Sequence, residues 1–133
     1  MIVSLHVATG ALAGAAAGSR RRAMLLGPLV HALGDLTPHQ DIPSTAFEAA
    51  SGGAGVLLLA RRYGALHPVT VGAVAASIWD LEHILRPARP GRPKLFPTHR
   101  FAGWHKRGGL PAWIQLAGAA TIFALLLRPD EPS

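Results

Sequence analysis

The sequence predicts an all-α chain, a small integral membrane bundle of four to five helical segments. Three observations lead there. Half of the residues are hydrophobic and only 15% are charged, with a mean hydropathy of +0.29, so disorder is excluded. The apolar residues fall into five stretches separated by basic or proline-rich segments. No strand-like alternation runs for more than a few residues, and no barrel pattern exists, which leaves the helix as the form that satisfies the backbone in lipid. The 133 residues correspond to a single membrane-embedded helical domain, 1–133.

The stretches cover residues 2–18, 23–36, 47–60, 63–79 and 110–127. A span needs roughly 17–25 apolar residues. The first, fourth and fifth reach that length; the second and third are short enough to tilt, re-enter or lie buried. In the first stretch, positive charge follows the apolar run, the reverse of a signal peptide. Its Gly10, Gly14 and Gly18 recur every four residues and define one face for close helix approach. His6 lies one step earlier in the same register. Pro38 and Pro43 break the chain after the second stretch, and Pro68 sits in the first turn of the fourth. Pro87, Pro90, Pro93 and Pro97 make 86–107 a polar, basic, non-helical loop, and 128–133 reads as a flexible tail.

The charge balance is strongly basic, 13 Lys and Arg against 7 Asp and Glu. Each basic group abuts an apolar stretch, as membrane topology requires, and no aromatic–basic interleaving occurs, so membrane lipid and not nucleic acid is the expected partner. Arg20–Arg22, Arg61, Arg62 and Arg128 balance the basic residues of 86–107 across the bundle, so charge sets no orientation. With no Cys, disulfides, iron–sulfur clusters and thiolate zinc sites are excluded, and any metal takes imidazole and carboxylate ligands, which suit zinc or manganese. Nothing in the pattern sets an oligomeric state.

Seven His are an enrichment in a chain of this size, and they fall near carboxylates. His31 and Asp35 are i,i+4 neighbours on a helix; Asp80 and His83 are i,i+3 neighbours, with Glu82 off their face; His99 and His105 flank Arg100 in the basic loop. If the stretches alternate in direction, His6, His31, Asp35, Asp80, Glu82, His83, His99 and His105 meet at one end, and only His67 lies at the other. Each piece alone also reads as a cap, an ion pair or a headgroup contact. Together they read as a site for a divalent ion, since ionisable residues at spans are costly and mark function.

Four pieces of sequence carry a resemblance. They are His6 early in the first helix, Asp80-Leu-Glu82-His83, His99-Arg100 with His105, and Gly27-Pro-Leu-Val-His31-Ala-Leu-Gly-Asp35-Leu-Thr37-Pro38 with Pro43. The set resembles the small bacterial inner-membrane proteins known as membrane-bound metal-dependent hydrolases, with Glu82 where the family pattern has Asp. The resemblance implies an integral protein of the bacterial inner membrane. It implies a divalent metal ion held by His6, His31, Asp35, Asp80 and His83, with His99 and His105 beside it. Glu82 is the expected general base, and Arg100, with Lys106 and Arg107, the expected clamp for an anionic group. The expected substrate is a phosphoester or lipid head group at the bilayer surface. The alternative is a non-catalytic membrane protein that binds a metal or a partner with the same residues.

Overall fold

A computed structural model of the chain describes residues 1–85, 91–101, 103, 104, 106 and 108–129. The described residues form α1 (Val3–Ala17), α2 (Arg20–Leu36), α3 (Thr45–Tyr63), α4 (Pro68–Ser77), a 3₁₀ turn (Ile78–Asp80), α5 (Leu81–Leu85), α6 (Pro97–Arg100) and α7 (Ala112–Leu126). There is no strand among them, only a parallel bridge between His39 and Leu110. The all-α expectation therefore holds.

Local chemistry sets the boundaries. Gly18 ends α1 with φ +65°, a conformation that glycine takes without a Cβ penalty. Ser19 then caps α2, its hydroxyl accepting from the Arg22 amide at 3.4 Å. That cap places Arg20–Arg22 inside the helix, so α2 starts ahead of the apolar stretch that begins at Ala23. Ser44 caps α3 by accepting from the Phe47 amide, and His67 caps α4, its Nδ1 accepting from Val69 N, with Pro68 in the first turn. The fourth apolar stretch is thus divided: Tyr63 closes α3, and α4 runs only ten residues before the 3₁₀ turn.

Central helix α1 touches α2, α3, α4 and α7. Val7 and Ala11 pack with Leu59, Val69 and Ala73 on one side, and Ile2, Leu5 and Ala8 pack with Ala119 on the other. Its closest neighbour is α4. A Cβ added at Gly14 would lie 2.2 Å from the Pro68 carbonyl oxygen, and one at Gly10 would lie 2.5 Å from that of Gly72. The glycine face is real at Gly10 and Gly14. Gly18 is not part of it: it has no atom within 4 Å of its Cβ position and serves as the C-cap. Buried Gln115 ties α7 to the linker, accepting from Ile2 N at 3.0 Å and donating to the Gln40 and Leu110 carbonyls.

Two expectations change here. No helix among the described residues is long and apolar enough to cross a membrane. Helices α1 and α7 have 15 residues each, about 22 Å at ~1.5 Å per residue, against a hydrocarbon core of about 30 Å. The second concerns 86–107, expected to be non-helical throughout: it contains α6, one turn started by Pro97, because a proline at the first helical position lacks no bond it would otherwise make. Residues 86–90, 102, 105, 107 and 130–133, and with them His105, Arg107 and most of the expected tail, lie outside the described residues.

Candidate metal centre

The centre is built around Asp35, buried in the last turn of α2. One turn earlier, His31 presents Nε2 to Asp35 Oδ2 at 3.1 Å, the contact that i,i+4 spacing provides. Helix α6 brings His99, with Nε2 3.2 Å from the same oxygen and 3.4 Å from His31 Nε2. Thr98, beside it, donates its hydroxyl to Oδ2 at 2.6 Å. From α1, His6 stacks on His31 with ring centroids 4.0 Å apart and sets Nε2 3.3 Å from Oδ1. Gly34 makes room for it, since a Cβ there would meet His6 Cε1 at 2.9 Å. The Met1 nitrogen lies 3.1 Å from Oδ1 and against His39 Nε2.

Asp80 arrives on the 3₁₀ turn that ends α4. Its Oδ2 is 3.8 Å from His31 Nδ1 and has no hydrogen-bond partner among the described residues. Burial, then the charge of Asp35, pushes its carboxyl up to about 8. Burial also dominates at His6, outweighing its hydrogen bond to Asp35 and lowering the imidazole to about 3.

The donor set fits a divalent ion. His31 Nδ1 lies 2.7 Å from the Ala76 carbonyl oxygen, which only accepts, so Nδ1 carries the hydrogen. His31 Nε2 then faces Asp35 Oδ2 at 3.1 Å and His99 Nε2 at 3.4 Å. The three contacts among His31 Nε2, Asp35 Oδ2 and His99 Nε2 are 3.1, 3.2 and 3.4 Å. Donors bonded at ~2.0–2.2 Å to one tetrahedral ion stand about 3.3–3.6 Å apart. A histidine whose second nitrogen is pinned to a backbone carbonyl is also how metal-binding imidazoles are oriented. His6–His31–Asp35 and His31–Asp80–His99 are both groups close enough to share an ion.

Comparison of the chain with family profiles, characterised proteins and solved structures finds no match.

The structure thus brings together His6, His31, Asp35, Asp80 and His99. His83 stands apart: its ring packs on His99 with centroids 4.3 Å apart and lines a neighbouring cavity, but it belongs to neither donor group. Glu82 has an occupation that sequence spacing does not reveal. Its carboxylate accepts from the Leu95 and Phe96 amides at 2.8 and 3.0 Å, and Oε2 lies 3.6 Å from His99 Nδ1. Burial pushes its carboxyl up, but the Phe96 and Leu95 amides outweigh that and hold it below the usual range. Glu82 therefore anchors the segment that leads into α6, helped by Trp79 stacked on Phe96 at 4.5 Å. As a positioning residue, it sets His99. Glu82→Ala is expected to weaken metal retention about 10–100-fold, as loss of an outer contact does, with partial rescue in Glu82→Gln. Chelator competition measures it; unchanged retention in Glu82→Ala would refute the role.

His39 is the residue that the motif reading passed over. It is buried, its Nδ1 donates to the Thr37 carbonyl at 2.6 Å, and Nε2 lies 3.0 Å from Asp41 Oδ1. Beside the centre is a cavity of about 660 Å³, walled by Asp80, His83, His99, Glu48, Lys94 and Arg100. It connects a donor group to two cationic side chains.

The two shifted groups predict a pH profile for the metal-free protein. Asp80 is raised from 3.8 to about 8, so its contribution to stability is complete below pH 3.8 and is lost as pH climbs to 8. His6 is lowered from 6.5 to about 3, so stability is lost as pH falls from 6.5, where the unfolded chain takes up the proton first. The effects oppose each other between 3.8 and 6.5, leaving a plateau with a falling limb on each side. Each limb has a slope of at most about 1.4 kcal/mol per pH unit. Thermal unfolding after chelation should show Asp80→Asn flattening the alkaline limb and turning the plateau between 3.8 and 6.5 into a continued rise with pH; an unchanged alkaline limb would contradict this account.

Proposed function

We propose that the chain is a membrane-associated metal-dependent hydrolase acting on a phosphoester or lipid head group. The observation that carries this reading is the meeting of His31 Nε2, Asp35 Oδ2 and His99 Nε2, with the tautomer of His31 fixed by Ala76. Zinc or manganese suits these donors, and such an ion, when bound, acidifies water and polarises a phosphoryl oxygen. His31, Asp35 and His99 hold it, with His6 and Asp80 as flanking donors. Thr98 orients Asp35 through its hydroxyl. Arg100, on the cavity wall, clamps the anionic group with a planar fork, and Lys94 adds a second positive charge. Glu82 works through His99, not as the general base, because two amides occupy its carboxylate.

Association with lipid is supported by exposed apolar side chains on three helices. Met24, Leu25, Leu29 and Leu33 line α2, Leu57 and Leu58 stand on α3, and Trp113 on α7 is 69% exposed. Seating in the bacterial inner membrane belongs to the same proposal. Carbonate washing of membranes tests it, and full release into the supernatant would count against it.

A non-catalytic metal-binding role is favoured by one observation: His6, His31 and Asp35 do not line the cavity, and only Asp80 and His99 reach it from the donor groups. Metal analysis of purified protein beside His31→Ala, followed by phosphoester assays on metal-loaded protein, separates the readings. Metal in the wild type, lost in His31→Ala, with turnover, supports the hydrolase. Metal without turnover supports the second reading. Wild type that takes up no metal overturns both.

A further inference from the structure

We propose that Leu95, Phe101 and Trp104 form the rim at which the cavity meets the bilayer, so that the phosphoester taken by the site is the head group of a membrane lipid whose acyl chains stay in the lipid phase. The inference rests on the function proposed above and narrows it to one substrate class.

A short segment joins the metal centre to this rim. Thr98 and His99 are buried, and the next two residues, Arg100 and Phe101, are exposed. All four wall the cavity. His99 and Phe101 are two residues apart, so their Cα atoms are separated by at most about 7 Å. The chain then turns back: Trp104 N donates to the Phe101 carbonyl at 3.3 Å, a turn that Gly103 permits with φ +84°. The turn sets the Trp104 ring beside that of Phe101, with centroids 5.9 Å apart. Leu95 follows Lys94, another wall residue, and its amide is held by Glu82. The carboxylate that positions His99 therefore also fixes one part of the rim.

Leu95, Phe101 and Trp104 are 62, 52 and 46% exposed. Large apolar side chains left in water beside a cavity mark a surface that is covered in use. The charge beside them names the occupant. Lys94 and Arg100 wall the cavity, and each is followed in the chain by an exposed apolar neighbour, Leu95 and Phe101. The Arg100 guanidinium also lies 5.9 Å from the centre of the Phe101 ring. A cation for phosphate and hydrocarbon for an acyl chain are thus offered side by side. A water-soluble phosphoester uses only the first, and a phospholipid uses both. Tryptophan suits the level at which the two meet, since its ring is apolar and its N–H is polar.

The test uses the three tryptophans, Trp79, Trp104 and Trp113. Trp79→Phe with Trp113→Phe leaves Trp104 as the reporter, and Trp79→Phe with Trp104→Phe leaves Trp113 on α7. Each protein is mixed with vesicles of phosphatidylglycerol and phosphatidylcholine that carry bromine on the acyl chains, with unbrominated vesicles and circular dichroism as controls. Trp104 emission is expected to be at least about halved by the bromine, as for a ring at the interface. Quenching of Trp113 without Trp104 would overturn the proposal and show that the bilayer meets the helix flanks. Quenching of neither would remove lipid association itself, and this inference with it. Metal-loaded protein is then given a phospholipid in vesicles and a short-chain, water-soluble ester with the same head group. Phe101→Ser with Trp104→Ser is expected to lower the ratio of lipid to soluble turnover by about tenfold or more, the partition lost with two half-exposed rings. Trp104→Phe, which keeps a ring at the rim, should hold that ratio within about threefold of wild type. An unchanged ratio in the double variant would overturn the substrate assignment. Wild type that turns over neither ester removes the hydrolase reading and the substrate with it, whereas Trp104 emission still decides whether the rim meets lipid.

Discussion

Asp35→Asn is expected to reduce metal retention by at least 100-fold and to remove any phosphoester turnover, while leaving the metal-free chain folded. The two halves of this expectation have one cause. Asp35 accepts from Thr98 and faces His6, His31 and His99 within 3.3 Å, so its negative charge is what balances a divalent ion among imidazoles. An amide of the same shape keeps the packing but supplies no charge. Without metal, the carboxylate still acts on its neighbours. Its charge is among the causes that raise Asp80, even though the Thr98 hydroxyl and the Met1 ammonium contact it. Removing it should let the Asp80 carboxyl fall toward its ordinary range, and the alkaline limb of the stability profile should become shallower. Metal content by mass spectrometry and thermal midpoints before and after chelation check both halves. An Asp35→Asn protein that retains its metal would remove Asp35 from the centre.

Much of this centre could be read from spacing. His31 and Asp35 meet because four residues bring side chains together on any helix, and alternating helix direction alone sends His6, the end of α2 and the end of α4 to one end of the bundle. His67 lies away from them, stacked on Tyr63 at the start of α4. Residues whose placement depends on irregular backbone were not legible in this way. His39 sits between prolines, where periodicity says nothing about direction, and its place is set by the bridge to Leu110 and the bond to Lys106. Glu82 has helical spacing, but its acceptor role depends on amides of Leu95 and Phe96, which return to it across a proline-rich segment. Asp80 and His83, expected as a pair on one helix face, both line the cavity, but only Asp80, carried on the 3₁₀ turn Ile78–Asp80, belongs to a donor group. Helix lengths were misjudged for a related reason. Hydropathy counts residues such as Tyr63 and Gly64–Leu66 in an apolar run, although a cap at His67 divides it.

Gly14→Leu is expected to prevent stable assembly of the bundle, at a cost above about 4 kcal/mol, the range of severe packing disruption. A Cβ there would fall 2.2 Å from the Pro68 carbonyl oxygen and 2.9 Å from its carbon, both backbone atoms. A side-chain tip can rotate away; a helix backbone cannot, and Pro68 is fixed further by the ring and by the His67 cap. Relief therefore requires α1 and α4 to separate along their whole contact, which includes Gly10 against Gly72 one turn further on. Separation also moves Ala76, whose carbonyl holds the tautomer of His31, so metal retention should fail together with stability. Ala15→Leu, at an exposed position of the same helix, is expected to change stability by less than about 0.5 kcal/mol. Half-buried Ala13→Leu should fall between the two. Denaturant midpoints in detergent, with bound metal measured on the same samples, decide the matter. Equal losses in all three variants would mean that the close approach of α1 and α4 does not hold the site in place.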